Sequence, residues 1–116
     1  MGRVTTHVLD TALGRPASGL SIELFRLDAG QRRQINTSTT NADGRTDAPI
    51  LDADLFALGS YELVFHAGDY LKAGHSFSAD KLFLDEVPIR FTVFEDAHYH
   101  VPLLLSPFGY STYRGS

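Results

Sequence analysis

The sequence predicts an all-β protein, an antiparallel β-sandwich of about seven strands with one short helix. Short runs of alternating apolar and polar residues recur along the chain, the period of a strand with one buried face. Gly-, Pro- and Asn/Asp-rich turns separate them at short spacing, the pattern of antiparallel sandwiches. One stretch alone, residues 69–74, has the start and stop chemistry of a helix.

Residues 3–10 alternate, with Val4 and Val8 on one side and Thr5, His7 and Leu9 on the other. Residues 12–17 (ALGRPA) make a turn, and residues 20–27 (LSIELFRL) a second strand with Leu20, Ile22, Leu24 and Arg26 sharing a face. After a turn at residues 28–30, the polar run 31–40 is an exposed strand. Asn41-Ala42-Asp43-Gly44 is a tight-turn signal that delivers Arg45 just beyond it. Residues 47–58 are irregular or briefly helical. Residues 60–66 (SYELVFH) point Tyr61, Leu63 and Phe65 inward. Residues 69–74 (DYLKAG) form one helical turn, with Asp69 as N-cap and Gly74 as stop. Residues 75–87 are mostly loop; residues 88–95 (PIRFTVFE) set Ile89, Phe91 and Val93 against Arg90, Thr92 and Phe94.

Residues 97–105 and 110–114 are the last two strands, joined by the turn Ser106-Pro107-Phe108-Gly109. The first of them sends Tyr99, Val101, Leu103 and Leu105 to the core, and His98, His100, Pro102 and Leu104 to the opposite face. A proline inside a strand belongs at an edge or a bulge, and a bulge at Pro102 would re-aim the histidines beside it.

The chain of 116 residues, 43% hydrophobic, suits a single domain over residues 1–116. Its net charge of −4 includes no basic stripe to neutralise phosphates, which argues against nucleic acid as a partner. The absence of cysteine excludes disulfides, thiolate metal sites and cysteine nucleophiles. No apolar run reaches the roughly 18 residues of a membrane span. The first residues lack the apolar core of a signal peptide, so the expected location is cytoplasmic.

Five histidines are present, and three of them, His7, His98 and His100, fall on non-core faces. If the first and penultimate strands are neighbours, these imidazoles converge. Imidazole titrates near neutrality and can act as general base toward water. Arg45, presented by a turn, can hold a carbonyl oxygen or a developing oxyanion. Tyr113 and Ser116 add hydroxyls near the end of the last strand. Each has a plainer reading: a solvated strand face, a surface arginine, a packing tyrosine, a frayed end. Two histidines at i, i+2 with a third can bind zinc, but without cysteine or a convincing nearby carboxylate ligand no metal is expected. No nucleophile elbow, paired-carboxylate site or phosphate loop occurs.

Four separated elements together resemble the transthyretin family: His7-Val8-Leu9-Asp10 followed by Gly14-Arg15-Pro16-Ala17, then Asp43-Gly44-Arg45, then residues 104–112 (LLSPFGYST), and the closing Tyr113-Arg114-Gly115-Ser116. The resemblance runs from about Val4 to Ser116. The tetrapeptide marks the enzymatic branch of that family; its hormone carriers lack it, and they lack histidines at the positions of His7 and His100. The resemblance implies a sandwich of seven or eight strands, assembled as a homotetramer of two dimers across a central channel. It implies hydrolysis of 5-hydroxyisourate to 2-oxo-4-hydroxy-4-carboxy-5-ureidoimidazoline in urate degradation, without cofactor or metal. The implied catalytic residues are His7, Arg45 and His100; His7, Arg45, His98, Tyr113 and Ser116 would hold substrate. Neighbouring imidazoles and Arg45 would lower the histidine pKa values and keep the base neutral. The rival functions are a small-ligand carrier using the same channel, which would line it with small or aliphatic residues, and a structural adhesin, which would bring tandem copies, a leader or cysteines.

Overall fold

Each predicted run of alternation forms a strand in the computed structural model, which describes residues 2–75 and 81–115. The strands are β1 (Arg3–Asp10), β2 (Arg15–Pro16), β3 (Ser21–Asp28), β4 (Gln31–Thr39), β5 (Gly59–His66), β6 (Glu86–Val93), β7 (His98–Ser106) and β8 (Gly109–Thr112). They build two four-stranded sheets, in the orders β2-β1-β7-β8 and β4-β3-β5-β6. Between the sheets lie Val4 and Val8 of β1, Ile22 and Leu24 of β3, Tyr61, Leu63 and Phe65 of β5, and Tyr99, Val101, Leu103 and Leu105 of β7. Burying each large aliphatic side chain there stabilises the fold by roughly 1.5–3 kcal/mol. Thr6 shares this inner face because its hydroxyl donates to the Val101 carbonyl oxygen at 2.7 Å, which removes the cost of an unpaired buried hydroxyl.

One pairing sets up the functional face. β1 and β7 run parallel, with Arg3 opposite His98, Thr5 opposite His100 and His7 opposite Pro102; the chain passes through the whole second sheet before returning beside its first strand. Parallel pairing at the centre of a sheet covered on one face by another sheet is stable, since both strands bury their apolar sets.

The bulge expected at Pro102 does not occur. β1–β7 pairing is regular through Thr6–Val101, His7–Pro102 and Val8–Leu103. On the other side Leu103 pairs with Thr112, and the same register resumes at the His100–Gly115 bridge. The Pro102 carbonyl oxygen accepts from the Thr112 hydroxyl at 2.7 Å, so the missing N–H faces the line of β8. Proline therefore interrupts that ladder without inserting a residue. The register irregularity lies instead in β3–β4, at Leu24/Phe25. There Phe25 is buried under the Arg32 guanidinium, 3.9 Å above its ring, a cation–π contact.

Three further segments differ from expectation. The segment read wholly as a turn at 12–17 contains β2, whose two residues pair with Leu9 and Asp10. The helix α1 (Ala67–His75) is longer than one turn, and it starts directly after β5. Ala67, Gly68 and Leu71 are buried, and tertiary packing carries the helix through Gly74. Asp69 sits inside its first turn, 3.4 Å from Lys72, and does not cap it. The Gly68 amide donates to the Asp85 carbonyl oxygen at 2.8 Å. The helix is tied to β1 through buried Asp10, which accepts from the Tyr70 hydroxyl at 2.6 Å and lies 2.7 Å from His75 Nε2. Burial raises the Asp10 pKa, but these hydrogen bonds outweigh it and the net shift is downward. Of the expected 75–87 loop, residues 76–80 lie outside the described residues, and β6 begins at Glu86, before Pro88. Pro88 is tolerated because β6 is an edge strand. The irregular segment 47–58 holds one 3-10 turn, Ala53–Leu55. Among the described residues no helix is long and apolar enough to cross a membrane.

Candidate functional site

The outer face of the β1–β7 pair carries the site. Alternation sends Thr5 and His7 of β1 and His98 and His100 of β7 away from the core, and all four are half-buried. The parallel register sets Thr5 between the two imidazoles. Its Oγ1 lies 2.7 Å from His98 Nε2 and 2.8 Å from His100 Nδ1. The rings of His98 and His100 meet edge-on, 6.3 Å between centroids.

Arg45 arrives from the 41–44 turn, and Asn41 builds that turn. The Asn41 side-chain oxygen accepts from the amides of Asp43 at 2.9 Å and Arg45 at 3.2 Å, while the Asn41 amide donates to the Arg45 carbonyl oxygen at 2.7 Å. Gly44 adopts φ +75°, and its carbonyl oxygen accepts from the Val8 amide at 2.8 Å. A Cβ there would press on the Val8 carbonyl oxygen and on Pro16, so only glycine fits both the left-handed backbone and the close approach. That approach sets Arg45 in a β-bridge with His7. Sequence and structure thus agree on why Asp43-Gly44 precedes the arginine.

Arg45, His98 and His100 line one open cleft of about 310 Å³ with Thr5, Thr46, Asp47 and Pro49. His7 flanks it, one pleat along β1 from Thr5, and close enough that its charge acts on His100. Neither His7 nor His100 packs between the sheets. Tyr113 stands elsewhere on the single chain. It is 61% exposed and lines a second, more apolar cleft with Ile89, Phe91, Phe94 and Tyr99, between the edges formed by β6 and the end of the chain. Ser116 lies outside the described residues.

Each of the three imidazoles is held below its ordinary pKa of 6.5, in every case first by burial. The second cause differs. For His7 and His100 it is the Arg45 charge; for His98 it is Arg3, its register partner on β1. Desolvation thus leads where the sequence reading put neighbouring charge first.

Two site residues escape sequence reasoning. Thr5 was legible only as a member of the His7 face; its parity was the available signal. Gly115 donates its amide to the His100 carbonyl oxygen at 2.7 Å, and an added Cβ would stand 2.8 Å from His100 Cδ2 and 3.0 Å from its Cβ. The His100 ring therefore occupies the space a side chain at Gly115 would need, with the Thr5 hydroxyl at its Nδ1.

The model of the HIUase/Transthyretin family matches residues 4–115. The chain belongs to this family. It is 60% identical over 116 residues to 5-hydroxyisourate hydrolase 2 of Rhizobium meliloti (strain 1021), covering 99% of this chain and 97% of that one. Among solved structures, it superposes on 5-hydroxyisourate hydrolase of Klebsiella pneumoniae with a TM-score of 0.83 at 34% identity, over the full length of both chains. It also superposes on (S)-allantoin synthase with a TM-score of 0.91 at 43% identity; that match covers 99% of this chain but 44% of the other. The two-sheet architecture is thus that of the HIUase/transthyretin family, and relatives 60%, 61% and 53% identical to this chain carry the name of a hydrolase rather than of a carrier.

Proposed function

We propose that this member of the HIUase/transthyretin family hydrolyses 5-hydroxyisourate to 2-oxo-4-hydroxy-4-carboxy-5-ureidoimidazoline, acting in the cytoplasm as a step of urate degradation. What carries the reading is the meeting of His98, His100 and Arg45 at one open cleft, in a chain 60% identical to a hydrolase of that substrate. The cleft is lined mainly by hydroxyl-bearing and ionisable residues, where a carrier of hydrophobic ligands would offer aliphatic walls.

The chemistry follows from the groups present. A neutral imidazole, His100 or His7, takes a proton from water as the water oxygen attacks the ring carbonyl carbon. Arg45 holds the substrate and offsets the negative charge that develops on the carbonyl oxygen. The C–N bond then breaks, and its nitrogen takes a proton from a second imidazole or from Tyr113. His98 and Ser116 complete the substrate contacts. In this reading the enzyme is a homotetramer, a dimer of dimers. Exposed Tyr113 and Phe94 beside the edges of β6 and β8 support association there, because an open edge with apolar neighbours favours pairing. The partner subunit would then bring Tyr113 toward a facing cleft.

The direct test generates 5-hydroxyisourate by enzymatic oxidation of urate and follows its ultraviolet decay with and without the protein. Acceleration over the spontaneous decay is expected; an unchanged decay rate would remove the hydrolase reading.

The pH profile provides a second expectation. His7 and His100 have folded-state pKa values below 6.5, so the general base stays neutral down to below that pH. The acid limb of kcat/KM should therefore have its midpoint below 6.5, with activity lost as pH falls through it. Stability has the same sign: between the lowered folded value and 6.5 the unfolded chain binds more protons, so acidification below 6.5 favours unfolding. An acid limb centred above 6.5 would contradict the lowered pKa values.

Gly115→Ala tests the packing of the chain end on His100. The added methyl must push the ring or the chain aside, and kcat should fall by roughly one to two orders of magnitude for a displacement near 1 Å. Thermal unfolding should hardly move, and wild-type kcat in this variant would show that the ring position is set elsewhere.

A further inference from the structure

We propose that Thr5 is a positioning residue of this site: its hydroxyl, bonded at once to His98 and His100, couples the protonation of the two rings and relays a proton between them. The inference rests on the hydrolase reading for its catalytic consequence, but not for the coupling itself.

Thr5 Oγ1 approaches His98 Nε2 at 2.7 Å and His100 Nδ1 at 2.8 Å. A hydroxyl has one proton and two lone pairs. It therefore donates to one ring and accepts from the other. Of the two nitrogens that face it, one carries hydrogen and the other is bare. Protonating both rings would aim two N–H groups at one oxygen and leave the hydroxyl proton with no acceptor in the pair. The rings are therefore complementary, and one added proton is shared between them.

The relay balances. In the starting state His100 Nδ1–H donates to Thr5, Thr5 donates to His98 Nε2, and His100 Nε2 is bare. When His100 Nε2 takes the proton of the attacking water, the ring becomes an imidazolium. Its Nδ1 proton passes to Thr5 Oγ1 as the former hydroxyl proton passes to His98 Nε2. One O–H bond forms and one breaks; the positive charge moves from His100 to His98. Reversal returns Nδ1–H to His100 as Nε2–H is lost to water, balancing the proton that the second imidazole or Tyr113 gives the leaving nitrogen and regains from water, and the starting state is restored. Cations act on both rings of the pair. Arg45 and His7 act on His100, and Arg3 acts on His98; Asp47 lines the same cleft. The positive charge thus need not stay on the ring that faces Arg45.

A purely structural Thr5 would be a strand residue chosen for its shape, and valine, of the same shape and high β propensity, would replace it without loss. The test compares Thr5→Val and Thr5→Ser. In Thr5→Val, kcat should fall about 10²-fold with KM changed by less than about threefold, as expected when a catalytic group loses its orientation while binding persists; Thr5→Ser should restore most of the rate. Nitrogen-15 NMR of the imidazoles, which needs no substrate, should show opposite states at His98 Nε2 and His100 Nδ1 in the wild type and linked titrations of the two rings. In Thr5→Val the titrations should become independent. Wild-type kcat in Thr5→Val, or the same protonation state at both facing nitrogens of the wild type, would overturn the proposal. Linked titration in a protein that leaves 5-hydroxyisourate untouched would keep the coupling and reject the hydrolase reading alone.

Discussion

His100→Asn should lower turnover by about 10²–10⁴-fold, the usual contribution of a positioned general acid or base, while the fold and assembly persist. His100 lies on the outer face of β7 and is half-buried, so asparagine fills much of its volume without opening a void in the core. Asparagine still reaches the Thr5 hydroxyl, but it cannot accept a proton near neutral pH. The loss should thus appear in kcat with little change in KM, which marks an interaction made in the transition state. The parallel His7→Asn variant separates the candidates: the true base shows the larger loss and loses the acid limb of the pH profile. Near-normal kinetics for His100→Asn, with His7→Asn inactive, would move the base to His7.

Arg45→Met should cost about 10²–10³-fold in kcat/KM, the scale of losing one donor to a developing oxyanion. Methionine retains the length and apolar stem of arginine and removes the charge. Arg45 is exposed, and its backbone is fixed by Asn41 and Gly44 rather than by its own side chain. Stability should consequently change by less than about 0.5 kcal/mol, as for surface substitutions generally. A second consequence has the opposite sign to the first. Removing a cation that lowers the pKa of His7 and His100 should let both rise toward 6.5, shifting the acid limb of any residual activity upward. Arg45→Lys keeps the charge but loses the planar fork, so it should leave the limb in place and recover only part of the rate. Full activity in Arg45→Met would remove the arginine from the mechanism.

Much of the fold and half of the site are written in local pattern. Period-2 alternation in residues 3–10 and 97–105 sorted His7, His98 and His100 from Val4, Val8, Tyr99 and Leu103, because a strand allows two faces and the core takes the apolar one. Asp43-Gly44 located the turn before Arg45, since the left-handed φ at Gly44 is a property of the residue itself. The four-element resemblance pointed to the family that residues 4–115 match.

Pairing partners and register were not legible. Alternation says which way a side chain points, never which strand lies alongside, and β1 and β7 are some ninety residues apart in the chain. Only the folded sheet sets Thr5 opposite His100 and threads its hydroxyl between the two rings. The same holds for Pro102, where local chemistry suggested a bulge and the sheet instead used a gap in the β8 ladder. It holds too for Gly115, whose missing side chain makes room for a ring fifteen positions earlier. The residues by themselves determined the faces, the turns and the kinds of group at the site; the tertiary structure decided which of them touch, because contact between distant strands depends on the shared burial of two whole sheets rather than on any one segment.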